Sequence, residues 1–161
     1  ATPLNFLPSK GCSLEVRLAA NDVAGTGFNV GFSDATGEGA DLIAMTLATV
    51  TLTSTATDYA GFLYDPDATT KTIRAVAVKN DVDGTLHDTG VAPVNGTFVV
   101  LRVDIDLAGN VSYWLNGDHI ATDATAITTT APLCAYIGFI NREGSANTLD
   151  IDTIRAWSWN L

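Results

Sequence analysis

The tightest constraint on this chain lies in residues 97–117, TFVVLRVDIDLAGNVSYWLNG. Val99, Leu101, Val103 and Ile105 alternate with Val100, Arg102 and Asp104, so one side of an extended chain is apolar and the other mostly polar. That period of two fits a strand with one face on a core and gives a helix no coherent stripe. Ala108-Gly109-Asn110 then turns the chain into a second run, 111–115. Asn116-Gly117 follows as a two-residue hairpin turn, whose central positions both need positive φ. A chain built around this segment has to contain an antiparallel sheet.

The same period recurs upstream. Cys12, Leu14, Val16 and Leu18 alternate with Ser13, Glu15, Arg17 and Ala19, and Phe28, Val30 and Phe32 share one side of residues 27–33. Residues 58–64 and 71–79 read as strands flanking a turn at Asp65-Pro66-Asp67, where proline pre-sets φ. Residues 132–141 and 147–159 supply two more strands. Residues 42–56, LIAMTLATVTLTSTA, tolerate a helix through Ala and Leu, but their threonines favour one or two strands. Residues 1–11 read as an irregular lead-in and residues 34–41 as a loop rich in Gly and Asp. About ten short strands without a long amphipathic period imply an all-β, two-sheet antiparallel sandwich forming one domain over residues 1–161.

Composition narrows the partners. Eight Lys plus Arg against eighteen Asp plus Glu leave a formal charge of −10, which repels phosphate backbones and argues against nucleic acid. No window approaches the ~18 uninterrupted apolar residues of a membrane span. The two cysteines, Cys12 and Cys134, both fall in strands and read as small buried hydrophobes, although a bridge between a first and a late strand is compatible with a sandwich.

At the C-terminal half the pattern resembles a known family. FVVLRVDIDLAGNVSYWLNGDHIAT resembles the strand–turn–strand–turn segment of concanavalin A-like jelly rolls. ANTLDIDTIRAWSW resembles the closing strand of their β-glucanase relatives. A second resemblance covers more of the chain. GFLYDPDATTKTIRAVAVKNDVDG, HDTGVAPV and IGFINREGSANTLDIDTIRAW are similar to domains of virion structural proteins of tailed bacteriophages. That likeness implies a capsid decoration (cement) protein or an exposed fibre-like domain on the capsid surface or tail of the virion. Its partners would be the major capsid protein or other virion proteins, and it would act as a homo-oligomer such as a trimer. A lectin-like module that binds host glycans is the alternative.

The candidate chemistry is sparse. A retaining glucanase needs two carboxyl groups about 5 Å apart. The nearest pairs, Asp104/Asp106 and Asp150/Asp152, each share one strand face but lack the glutamates and the third acid of the enzyme motif. They read as solvent-side residues neutralised by Arg102 and Arg155, so the chain reads as non-enzymatic. Asp81-Val82-Asp83-Gly84, with Asp88, and Asp65-Pro66-Asp67 have a calcium-loop flavour but the wrong spacing, and turn chemistry accounts for them. His87 and His119 have no His or Cys at ligand spacing, so no metal and no cofactor is expected. The sequons at Asn95 and Asn110 coincide with turn residues. The aromatic rings remain. Sugar-binding sandwiches offer Trp faces to pyranose rings, and Trp114, Trp157 and Trp159 are the candidate ligand residues, suited to a sugar or to a subunit contact. Tyr113 and Trp114 must point to opposite sides of their strand, whereas Trp157 and Trp159 share a side; core packing is expected to take at least one member of each pair.

Overall fold

The computed structural model describes residues 5–35 and 43–159. Its strands, in chain order, are β1 (Asn5–Phe6), β2 (Cys12–Ala20), β3 (Thr26–Ser33), β4 (Met45–Ala48), β5 (Thr51–Ser54), β6 (Tyr59–Tyr64) and β7 (Arg74–Lys79). They continue with β8 (Val82–Asp83), β9 (His87–Asp88), β10 (Val99–Ile105), β11 (Val111–Leu115), β12 (Asp118–Asp123), β13 (Leu133–Asn141) and β14 (Leu149–Ser158). Among the described residues the only helical element is a 3₁₀ turn at Pro8–Lys10. All the named strand pairs are antiparallel.

A seven-stranded sheet runs β1-β13-β3-β6-β7-β8, with β9 also paired to β7, and a five-stranded sheet runs β12-β11-β10-β2-β14. The alternating residues of both sheets meet between them. Leu14, Val16 and Leu18 of β2 and Leu101, Val103 and Ile105 of β10 pack into one buried cluster with Phe28, Val30 and Phe32 of β3 and Phe62 of β6. Phe62 meets Tyr113 edge-on at 5.8 Å between ring centroids, which stitches the two layers. The expected all-β sandwich is what forms.

The turns follow their chemistry. Asn116 and Gly117 both have positive φ (52° and 91°), the backbone that a tight hairpin between β11 and β12 requires. Asn80 and Asp81 do the same (51° and 62°) between β7 and β8. The segment with a calcium-loop flavour is therefore a hairpin, missed because its turn reads Asn-Asp in place of Asn-Gly. The lead-in is also more ordered than its prolines suggest: Asn5 and Phe6 pair with Cys134 and Leu133, and Phe6 rests edge-on against Phe32. The region 42–56 resolves, over its described part, into the β4–β5 hairpin. The loop expected over residues 34–41 lies largely outside the described residues.

That hairpin is a third layer. Met45 and Leu47 pack on Tyr59 and Leu63 of β6 and on Val76 and Val78 of β7, covering the outer face of the seven-stranded sheet. Asn29 Oδ1 accepts the Met45 amide at 2.7 Å, the buried Asp65 carboxylate accepts the Leu47 amide at 3.0 Å, and Tyr136 Oη accepts the Ala44 amide at 3.0 Å. Gly31 and Gly61 sit opposite each other beneath this layer. A Cβ on Gly31 would meet the Ala60 carbonyl oxygen, and one on Gly61 would meet the Tyr59 hydroxyl at 2.6 Å, so neither position has room for a side chain. The cysteines lie in different sheets and both thiols are free. Cys12 is in the core, where burial and then Asp104 push its thiol up to about 12. Cys134 sits between Asn5 and Ser33 in register and lies close to Asn5 Oδ1 at 3.4 Å, which leaves no partner for a bridge.

Candidate functional site

The outer face of the five-stranded sheet differs from its opposite number: among the described residues no layer covers it. Its side chains are the polar alternates of the strands that supply the core, and strand register sets them in rows. Arg102 stands opposite Trp114 on one side and Glu15 on the other, Trp114 opposite His119, and Glu15 opposite Arg155. One row across the sheet therefore reads His119–Trp114–Arg102–Glu15–Arg155. The next reads Thr122–Ser112–Asp104–Ser13–Trp157.

These rows are held by charge and ring contacts. Trp114 packs edge-on against His119 with centroids 4.8 Å apart, and His119 Nε2 bonds Thr122 Oγ1 at 2.9 Å. The Arg102 guanidinium lies 5.6 Å from the Trp157 ring centroid, while its Nε donates to Asp104 at 3.0 Å. Ser13 Oγ donates to the same Asp104 oxygen at 2.6 Å and accepts the Trp159 indole N–H at 2.8 Å. Arg17 stacks over Phe98, 4.0 Å from its centroid. A shallow hollow of about 380 Å³ opens in this face, lined by Glu15, Val100, Arg102, Trp114 and Gly117.

The three tryptophans thus share a surface, with different roles. Trp114 is half-buried in the hollow and its Nε1 has no acceptor, while Tyr113 beside it is fully buried in the core. Trp157 is 37% exposed and Trp159 46%. Neither of that second pair packs in the core, contrary to the expectation for each pair. Trp157 lies on the outer side of β14, an edge strand, and Trp159 follows just past the end of that strand with its indole on Ser13. Trp159 is tied down by its ring lying on Gly11 and by its amide, which donates to the Gly11 carbonyl at 3.0 Å. Glu15 joins the site through pairing between distant segments, whereas Arg102 and His119 face Trp114 across the consecutive β10–β11 and β11–β12 hairpins.

The acids occupy other positions than their spacing suggests. Asp104 is on the open face, but Asp106 lies beyond β10 and caps the following turn. It accepts the amides of Ala108 and Asn110 at 2.8 and 2.9 Å and the Asn110 side-chain amide at 2.7 Å. Burial raises its affinity for a proton, yet these hydrogen bonds outweigh burial and hold its carboxyl below the ordinary range. A bulge between Ile151 and Thr153 breaks the alternation that would align Asp150 with Asp152. Arg17, not Arg155, pairs with Asp152 (2.8 Å), and Arg155 approaches Glu15 (3.8 Å). The other acid-rich turn is also structural: Arg142 grips Asp65 at 2.6 Å. The sequon residue Asn110 is locked in the β10–β11 turn, donating to Asp106 and accepting the Thr125 amide at 2.8 Å.

A second cleft, of about 400 Å³, opens between the sheets beside β7, β8 and the end of β12. Two of its lining residues, Asp123 and Lys79, are engaged in joining the layers. His87 bonds Asp123 at 2.8 Å, the Tyr113 hydroxyl reaches the same carboxylate at 3.3 Å, and Lys79 Nζ donates to the Thr125 carbonyl at 2.8 Å. Burial, with Asp123 alongside, keeps the Tyr113 phenol well above its ordinary range, so it stays a neutral donor.

By sequence the chain matches no family model and no curated protein. By structure it aligns with sheep galectin-11 in complex with glycerol over 98% of both chains, at a TM-score of 0.56 and 11% identity. The carbohydrate recognition domain of Emp47p aligns over 97% of this chain and 75% of its own, with a TM-score of 0.64 and 9% identity. A Bacillus licheniformis β-glucanase aligns over 96% of this chain and 68% of its own, with a TM-score of 0.61 and 14% identity. The fold is a concanavalin A-like jelly roll. At such identities the likeness is one of fold, and the jelly roll serves lectin and hydrolase alike. Nothing in these comparisons links this jelly roll to virion proteins, so that expectation rests on the sequence segments alone.

Proposed function

We propose that this chain is a carbohydrate-binding, lectin-like module that holds glycan on the open face of its five-stranded sheet without cleaving it. The observation that carries the reading is the row His119–Trp114–Arg102–Glu15, flanked by Trp157, on a surface with no covering layer among the described residues. An indole face takes the apolar side of a pyranose ring, and charged forks beside it take the hydroxyls. That galectin and carbohydrate recognition domain structures share the fold supports the same reading. Turnover has less support, because Asp104 is already engaged by Arg102 and Ser13 and Asp106 by its turn, which leaves neither as a free acid–base pair. A glycan array tests this: the wild type should score on a defined set of sugars and Trp114→Ala should lose that signal while staying folded. An array blank for the wild type would sink the proposal.

A second reading, contact with other virion proteins on a phage particle, is favoured by a different surface. The edge strand β14, and the stretch of β13 beyond its short pairing with β1, leave Phe139 (42% exposed), Ile151 and Ile154 (54%) uncovered. Exposed apolar edges of this kind suit a subunit contact, as in a homo-oligomer or a capsid-bound decoration protein. Sedimentation of the purified protein, alone and with assembled particles, separates this from the first reading: a monomer that ignores particles would remove it.

A further inference from the structure

Resting on that sugar-binding reading, we infer that the open face takes the interior of a linear, neutral glycan, in place of a terminal sugar or an acidic polysaccharide. Length comes first. Trp114 is on β11 and Trp157 on β14, with β10 and β2 between them. Three inter-strand steps separate the rings by roughly 14 Å across the strands. A pyranose unit is about as long as one such step, so a chain touching both rings covers about three or four units. A single sugar reaches only one of them. Arg102 bridges the interval, bordering the hollow at Trp114 on one side and facing the Trp157 ring on the other.

Shape agrees with length. The hollow lies under β10 and β11, in the interior of the row, not at its end. Among the described residues nothing closes the row beyond His119 on β12 or beyond β14, so a polymer can run off both sides. A site for chain ends would need a wall at one end.

Charge sets the class. Each arginine of this face has a carboxylate beside it: Arg102 has Asp104 at 3.0 Å, Arg17 has Asp152 at 2.8 Å and Arg155 has Glu15 at 3.8 Å. Among the described residues no Lys or Arg of this face is left over to neutralise a uronate or sulfate, and the chain as a whole carries −10. Field and local pairing both disfavour a polyanion.

The test is calorimetric titration with cello-, xylo-, manno-, laminari- and chito-oligosaccharides of one to six units, with oligogalacturonates and heparin oligosaccharides as acidic probes. In at least one neutral series, affinity should rise on the order of tenfold per unit up to about four units and then level off. Trp157→Ala should flatten that rise beyond two units and leave the short-chain affinity intact, with Trp157→Phe restoring part of the rise. Full affinity for a mono- or disaccharide would overturn the proposal and leave the sugar-binding reading standing. Binding confined to acidic probes would overturn it too. No binding to any series would remove both.

Discussion

The two outer faces of this sandwich obey the same alternation rule and end differently. On the seven-stranded sheet the outward residues are Tyr59, Leu63, Val76 and Val78, all buried beneath the β4–β5 hairpin. Its few polar groups there serve as hooks for that lid: Asn29 and Asp65 each accept a backbone amide of β4. On the five-stranded sheet the outward residues are Arg17, Arg102, Asp104, Trp114 and Trp157, and among the described residues no layer covers them. Inner alternates make a core in both cases. The outer alternates decide whether a sheet needs a lid or can offer a site, since an apolar outer face left wet costs about 25 cal/mol per Å².

If that division is real, damage to the covered face should unfold the protein and damage to the open face should silence it. The largest effect is expected at Asp65. Its side chain is 3% exposed, gripped by Arg142, and accepts the Leu47 amide, so Asp65→Ala strands a lid amide and leaves Arg142 only its longer 3.3 Å pairing with Asp67. Breaking such a buried pair costs about 4 kcal/mol, read as a fall in the urea midpoint. Leu63→Ala follows at about 3 kcal/mol, because Leu63 is fully buried and the cavity would lie between the sheet and its lid. Both variants, where still folded, should bind glycan as the wild type does. A stable Leu63→Ala protein with lost binding would erase the distinction between the faces.

How much of this could be read in advance also divides by face. The β10–β11 segment was legible because each strand has one dry side, and the turns on either side of β11 carry Gly109 and Asn116-Gly117. Strands β3 and β6 are buried on both faces, so their apolar residues alternate with small or apolar ones and, at Asn29, with a buried polar one. The lid over them then looks like an ambiguous Thr-rich run, since four-residue strands are too short for a clear period. The site was legible only in part. Trp114 and Trp157 announce themselves as aromatic, but Glu15 joins them only because β2 pairs with β10 and β14, segments far from it in sequence. The carboxylate pair Asp104/Asp106 misled for a local reason, since the strand ends at Ile105 and the second acid belongs to the turn.

On the open face the stability cost shrinks while the functional cost grows. Trp157→Ala should lower stability by about 1 kcal/mol, as expected for a partly exposed ring, and remove most of the affinity for longer oligosaccharides. Thermal melts beside titrations of the same sample measure both. A melt shifted as far as that of Leu63→Ala, with binding unchanged, would reverse the assignment of the two faces.

The smallest effect concerns acid at the rim of the open sheet. Asp106 has its folded-state affinity for a proton lowered because its turn amides hydrogen-bond the ionised form. A depressed carboxyl contributes stability that is present above its unfolded value of about 3.9 and is lost as pH falls through the folded one. The group is partly solvated, so its share amounts to about a few tenths of a kcal/mol after screening. The urea midpoint of Asp106→Ala should therefore lie below the wild type at pH 6, and the gap should narrow as pH drops under about 4. A gap constant over that range would mean the turn is held by Gly109 and Asn110 without help from the charge, and that the carboxylate only occupies space there.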